Sequence, residues 1–135
     1  MAYKIERIEG IGPAHAGRLA AAGIATTEDL LDLCADPVGR ADVAEASGLG
    51  LDRILAWANL ADLMRINGIG PQFAELLEAA GVDTVMELRT RDAETLAAAL
   101  EAINAARKLT RVTPTAATVR KWVDLARATE PLVRH

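Results

Sequence analysis

The chain has 135 residues, a net charge of −4, and a hydrophobic fraction of 51% that is rich in alanine. This length fits one compact domain or two very small ones, and the scarcity of β-branched and aromatic runs excludes a fold built mainly of strands. A lone cysteine, Cys34, excludes an internal disulfide, no apolar run approaches the roughly 18–20 residues that span a bilayer, and the first residues lack the apolar core of a signal peptide. We therefore expect an all-α cytoplasmic protein.

An internal duplication organises the sequence. Residues 7–13 (RIEGIGP) return as residues 65–71 (RINGIGP) at an offset of 58, and a later block around Trp57 returns around Trp122 at an offset of 65. No linker rich in glycine, serine or proline lies between the copies. We expect two repeats, residues 1–62 and 63–135, packed as one globular body with approximate two-fold symmetry.

Each copy opens with two short helices around a glycine turn. In the first copy Ile5 and Ile8 begin a short helix, and residues 10–12 (Gly-Ile-Gly) form a tight turn whose glycines permit unusual backbone angles. Pro13 suits the first position of the next helix, which we expect to end near Ala22. Inward leucines of this helix and of its counterpart are Leu19 and Leu77.

A third helix follows in each copy, opened by a threonine. Thr26 is a good N-cap and Asp29, three residues on, completes a capping box, while Thr84 and Glu87 repeat the pair. The inner stripe of this helix in the first copy holds Leu30, Leu31 and Cys34, which makes Cys34 a core residue.

The remaining helices are marked by caps and prolines. We expect helices from Asp36-Pro37 to Ser47-Gly48, from Leu51 to about Arg65, from Asp92 onwards, and from Thr113-Pro114 to Glu130-Pro131. Trp57 and Trp122 occupy matched positions on closing helices, where we expect core packing.

The repeated Gly-Ile-Gly-Pro turn, followed by small residues and a leucine, resembles the helix-hairpin-helix motif. Over roughly residues 4–127 the chain also resembles a family of small bacterial proteins known only as a domain of unknown function, and residues 60–88 are especially similar. The motif implies that backbone N–H groups at the turns contact nucleic-acid phosphates, which helix N-termini favour. The implied donors are Gly10, Gly12, Ala14, Gly68, Gly70 and Gln72.

Charge near the two turns differs. The first copy offers Arg18, whereas the second has Glu75 and Glu78 on the helix that would face phosphate. Residues 101–135 carry seven basic and three acidic side chains, so this last part of the chain would attract a polyanion. Its candidate contacts are Arg107, Lys108, Arg111, Arg120 and Lys121, although a solvated helical face is an alternative interpretation.

No catalytic constellation is present: the sequence has no Ser/His/Asp set, no metal-ligand spacing and no phosphate-binding lysine loop. His15, expected to be exposed in the first turn of its helix, has a second interpretation as an axial haem ligand, since part of the resembling family has been connected with iron and haem. The matching position in the second copy is Phe73, so a symmetric pair of ligands is missing.

We therefore expect a non-enzymatic binding or scaffold module without cofactor or metal. Its partner would be a macromolecule and not a membrane, with weak, sequence-independent contact to a nucleic-acid backbone as the leading form. The alternatives are a haem- or iron-linked regulatory protein that uses His15 and a purely protein-docking module, which the acidic first copy favours.

Overall fold

A computed structural model describes residues 3–135, and over this range the chain is all-α, as predicted. It contains a 3₁₀ turn at Ile5–Arg7, eight α-helices and no strand. The helices are α1 (Pro13–Ala21), α2 (Thr27–Cys34), α3 (Pro37–Ser47), α4 (Leu51–Leu63), α5 (Pro71–Ala79), α6 (Val85–Leu88), α7 (Ala93–Arg107) and α8 (Ala116–Arg127). Within residues 3–135, no helix has the length and apolarity that a bilayer crossing requires.

The chain divides into two compact units. Unit 1 is Met1–Asp62 together with Leu132–His135, and unit 2 is Leu63–Pro131. The sequence-based division placed residues 132–135 in the second repeat, whereas the contacts of the chain group them with unit 1. They join unit 1 because the backbone N–H of Arg134 donates to the carbonyl oxygen of Ala35 at 2.7 Å.

A buried arginine reinforces that junction. Arg40 is only 5% exposed, and its guanidinium donates to the carbonyl oxygens of Cys34 (3.0 Å), Ala35 (3.1 Å) and Arg134 (2.6 Å). Two of these carbonyls belong to the end of α2, where a helix leaves acceptors unpaired and carries partial negative charge. Arg40 therefore caps α2 and binds the returning segment at the same time.

Both units contain a hairpin with the same backbone geometry. Gly10 and Gly68 have φ of +91° and +96°, which L side chains rarely adopt. The N–H of Ile11 donates to the carbonyl of Ile8 at 3.1 Å, and that of Ile69 donates to the carbonyl of Ile66 at 3.0 Å. The expected tight glycine turns are thus present, although the first element of unit 1 is a 3₁₀ turn and not an α-helix.

Helix starts follow the capping signals with two exceptions. Thr26 and Asp29 form the predicted capping box, and Asp36 and Asp92 cap α3 and α7. Thr84 caps α6, but the carboxylate of Glu87 binds Arg91 at 2.9 Å and so does not complete a second box.

The predicted bounds of the last helix are also wrong. The hydroxyl of Thr113 accepts from Asn104 Nδ2 at 3.1 Å, so it serves the loop, and Thr115 caps α8 by accepting from the N–H of Thr118. At its other end α8 finishes at Arg127, where the N–H of Ala128 and Thr129 turn to carbonyls three residues back.

The cores hold the predicted apolar residues. Leu19, Leu30 and Cys34 are fully buried in unit 1, and Leu77 and Leu100 are fully buried in unit 2. Trp57 and Trp122 are 6% and 2% exposed, so both are core residues as expected.

Candidate functional site

The hairpin helices start without a side-chain cap. α1 follows Gly12 and α5 follows Gly70, and in neither case does a side chain accept a hydrogen bond from the first turn. Five other helices, α2, α3, α6, α7 and α8, are each capped by a threonine or aspartate oxygen. The early N–H groups of α1 and α5, including those of Ala14 and Gln72, are therefore open to an external acceptor.

A tryptophan lies beneath each turn. The indole Nε1 of Trp57 is 3.8 Å from the position that a Cβ on Gly10 would take, and that of Trp122 is 3.1 Å from the corresponding position on Gly68. Each indole also contacts an aromatic ring from the hairpin helix: His15 with Trp57 at 5.4 Å and 53°, and Phe73 with Trp122 at 5.1 Å and 55°. Each unit thus supports its glycine turn on a pair of rings packed at a tilted angle.

His15 is half-buried and not exposed as expected, because its ring packs on Trp57. Arg53 Nη1 donates to His15 Nε2 at 2.9 Å. A guanidinium has only donors, so Nε2 accepts and the ring proton lies on Nδ1. Nδ1 is buried and has no hydrogen-bond partner, which leaves an unsatisfied donor inside unit 1.

His15 and Arg53 line an open cleft of about 640 Å³ in unit 1. One side is Ala14, His15 and Arg18 of α1, and the other runs from Gly48 to Arg53, across the start of α4. The N–H of Ile54 donates to the carbonyl of Gly50 at 3.2 Å, so Gly50 precedes the first turn of α4. The cleft therefore brings together two helix N-termini and two arginines, with Asp52 as the one acidic side chain in its lining.

The second hairpin carries the opposite charge. Gln72 follows the turn, and Glu75 and Glu78 lie on α5. Partial desolvation raises the pKa of Glu78, and the carboxylates of Glu75 and Asp83 raise it further, against a smaller opposing effect of Arg107. The raised pKa therefore reflects partial burial first and the two neighbouring carboxylates second, and both disfavour the ionised form of Glu78.

The predicted basic cluster lies in unit 2, at the end of α7, in the following loop and on α8. Arg107 ends α7, Lys108 is its C-cap with φ of +52°, and Arg120 and Lys121 lie on α8. All of its members are exposed, including Arg111. Arg120 pairs with Glu94 at 3.2 Å, so part of the positive charge of this face is neutralised within the unit.

His15 and Cys34 are the side chains that bear on metal and haem binding. Within residues 3–135 no three histidine, cysteine or acidic side chains come together as a metal site. A haem iron would need a free imidazole nitrogen, but one nitrogen of His15 accepts from Arg53 and the other is buried. Cys34 is fully buried, as expected of a core residue.

Arg53 was not identified from the sequence. It stands one turn before Trp57 on α4, so the two side chains share a helix face. The four-residue spacing from Trp57 is the sequence feature that could indicate a role for Arg53 beside His15. It does so only when Trp57 is known to contact His15.

Comparison with known proteins gives a family but no function. A family model described as a domain of unknown function, DUF4332, matches residues 9–129. Searches of curated proteins and of solved structures give no match. Because the family model covers most of the sequence, the chain belongs to the DUF4332 family.

Proposed function

We propose that the chain is a non-enzymatic binding module made of two helix-hairpin-helix copies, which holds nucleic acid through its phosphate backbone, weakly and without sequence preference. The observation that carries this proposal is the pair of uncapped helix N-termini after Gly12 and Gly70. Backbone N–H groups and a helix dipole favour phosphate oxygens and carry no information about bases.

The charge distribution limits the strength of such binding. Affinity for DNA depends mainly on counterions released by lysine and arginine contacts. The first 62 residues carry five basic and ten acidic side chains, and Glu75 and Glu78 lie on the second hairpin helix. Arg18 and the exposed members of the basic cluster are the cations available to contribute.

The test is a fluorescence titration of a short DNA duplex at several salt concentrations. We expect a Kd no tighter than the roughly 10⁻⁴–10⁻⁶ M of non-specific binders at physiological salt, weakening as salt rises and equal for unrelated sequences. Nanomolar binding or a clear sequence preference contradicts the proposal. Absence of binding at low salt also contradicts it and favours the protein-docking alternative.

A charge-reversal pair tests the second hairpin specifically. Glu75→Lys with Glu78→Lys should strengthen duplex binding, since it replaces repulsion near the α5 N-terminus with attraction. The control is Asp42→Lys with Glu45→Lys on α3, which makes the same change in net charge on exposed positions of unit 1. An equal gain in both double variants would mean that the second hairpin makes no specific contact.

A further inference from the structure

We propose that the cleft of unit 1 binds a phosphate monoester, such as the terminal phosphate of a nucleic-acid strand or the phosphate of a free nucleotide. The proposal rests on the proposed function in one respect, because both use the uncapped start of α1. It differs in naming a particular cleft, a second helix and the charge state of the group that is bound.

Two helix starts contribute donors to the cleft. α1 contributes the N–H groups after Gly12, and α4 contributes those after Gly50. No side chain accepts a hydrogen bond from the first turn of α1, and Gly50, which precedes the first turn of α4, has no side chain of its own that could accept from it. Each N-terminus also carries the partial positive charge of its helix dipole.

Two arginines add full charges. Within the described residues, no carboxylate lies at salt-bridge distance from Arg18 or Arg53. The partner of Arg53 is the neutral ring of His15, which holds the guanidinium in place without neutralising it. A guanidinium has five N–H donors in a planar fork that suits phosphate oxygens, and this contact uses one of them.

Opposing charge decides which phosphate is favoured. Asp52 lines the cleft, and residues 1–62 carry a net charge of −5, with five basic and ten acidic side chains. Long-range attraction of an anion is therefore absent, and binding depends on the short-range contacts of two guanidinium groups. A monoester carries up to two negative charges on one group, so it gains more from these contacts than a diester with a single charge.

The cleft has room for such a group. Its volume of about 640 Å³ falls within the roughly 300–1,000 Å³ of small-molecule sites. A Cβ placed on Gly12 or on Gly50 would have no atom within 4 Å, so nothing in the protein crowds either helix start.

Unit 2 has no equivalent set of donors. The sequence offsets match His15 to Phe73, Arg18 to Leu76 and Arg53 to Thr118. Thr115 stands at the position of Gly50, and its hydroxyl oxygen already accepts from the N–H of Thr118 at 3.1 Å. The proposal therefore predicts one monoester site per chain, in unit 1.

The first experiment titrates the full chain with inorganic phosphate at constant ionic strength. Binding is monitored by ¹H–¹⁵N correlation NMR. We expect saturable shifts at the amides of Ala14, His15, Asp52 and Arg53. Arg18→Gln and Arg53→Gln should each weaken binding about fivefold or more, since each removes a charge-assisted hydrogen bond. Asp52→Asn should strengthen it, and Lys4→Gln, which removes one exposed positive charge of unit 1 outside the cleft, should leave it unchanged.

Unchanged affinity in Arg53→Gln, or no saturable shift at these amides in a folded wild-type chain, would overturn the proposal. The spectrum of each variant reports its fold directly, so loss of binding through unfolding is recognised. Loss of binding in Lys4→Gln to the same extent as in Arg53→Gln would also overturn it, because net charge would then explain the effect.

A second experiment distinguishes the sources of the monoester. It compares one single-stranded oligonucleotide with and without a 5′-phosphate, and a free mononucleotide. Tighter binding of the phosphorylated strand than of both other ligands supports a strand end, and equal binding of mononucleotide and phosphorylated strand supports a free nucleotide. Salt-dependent duplex binding that does not depend on a terminal phosphate would support the proposed function and overturn this inference. Binding of phosphate without binding of duplex would support this inference and contradict the proposed function.

Discussion

The backbone carbonyl oxygen of Leu33 occupies the space that a Cβ atom on Gly39 would need. Leu33 lies near the end of α2 and Gly39 in the first turn of α3. The N–H of Gly39 also donates to Asp36 Oδ1 at 2.8 Å. The approach of α3 to α2 therefore requires glycine at this position.

Replacing Gly39 should thus destabilise unit 1. We expect Gly39→Ala to lower the free energy of unfolding by about 1–3 kcal/mol, the usual cost of forcing atoms into a packed site, measured by urea denaturation. Gly17→Ala is the matched control, since Gly17 is helical and a Cβ there meets no atom within 4 Å. The control should gain about 0.5–1 kcal/mol from helix propensity, and a gain in both variants would contradict the packing argument.

The contact of His15 with Trp57 should tolerate phenylalanine. Phe73 packs on Trp122 at nearly the same distance and angle, so His15→Phe should keep the ring contact. It also removes the buried Nδ1 without a partner, a group that costs about 1–3 kcal/mol when unsatisfied. We expect an equal or higher Tm by calorimetry for His15→Phe and a lower one for His15→Ala. A large loss in the phenylalanine variant would show that the ring nitrogens are needed.

The matched core leucines should contribute similarly to stability. Leu19 and Leu77 are both fully buried on their hairpin helices. Leu19→Ala and Leu77→Ala should each lower the free energy of unfolding by about 2–5 kcal/mol, as judged by denaturation midpoints. Shifts within experimental error would mean that these faces are not tightly packed.

The thiol of Cys34 should be inert in the native state. Burial raises the pKa of Cys34 to about 11, with nearby Arg40 lowering it and Asp36 raising it. At pH 7.4 on the order of one thiol in several thousand is then ionised. We expect no reaction with Ellman's reagent until denaturant is added.

An exposed thiol on the same helix provides the comparison for that assay. Leu33 is 42% exposed, so Leu33→Cys in a Cys34→Ala background should react within minutes under native conditions. Native reaction of Cys34 at a comparable rate would show that α2 opens more often than its packing indicates.

The raised pKa of Glu78 gives a pH dependence of stability. The folded state disfavours ionisation of this carboxyl group, whose ordinary pKa is 4.5. Its charge therefore costs stability once pH exceeds the raised folded value, and costs nothing below the unfolded value. Glu78→Gln should raise the Tm at neutral pH and lose this advantage as pH falls towards 4.5. A gain independent of pH would point to a cause other than ionisation.

The capping residues and the core could largely be predicted from the sequence, because they depend on local chemistry. Thr26, Asp36 and Asp92 cap the helices that follow them, since a short polar side chain accepts from an N–H two or three residues on. Thr113 failed as a cap because the amide of Asn104 uses its hydroxyl. Asn104 lies nine positions before Thr113, so the residues next to Thr113 in the sequence give no sign of this hydrogen bond.

The cleft could not be predicted for the same reason. His15 and Arg53 are 38 positions apart, and their contact depends on how α1 and α4 pack within unit 1. The sequence identified Arg18 and the starts of both helices, but their meeting in one cleft required coordinates. Likewise, the repeat indicated that His15 and Phe73 are equivalent without showing that both support a tryptophan beneath the turn.

The return of residues 132–134 to unit 1 makes unit 2 an insertion within it. During synthesis the ribosome delivers all of unit 2 before Arg134, whose carbonyl oxygen accepts from the guanidinium of Arg40. Unit 2 is contiguous in the chain, so its contacts can form as it emerges. Unit 1 cannot complete its contacts until the segment after Pro131 has been added, because Arg40 lacks one hydrogen-bond acceptor before then. The order in which the units can be completed thus differs from their order in the sequence: the one that starts first is completed last.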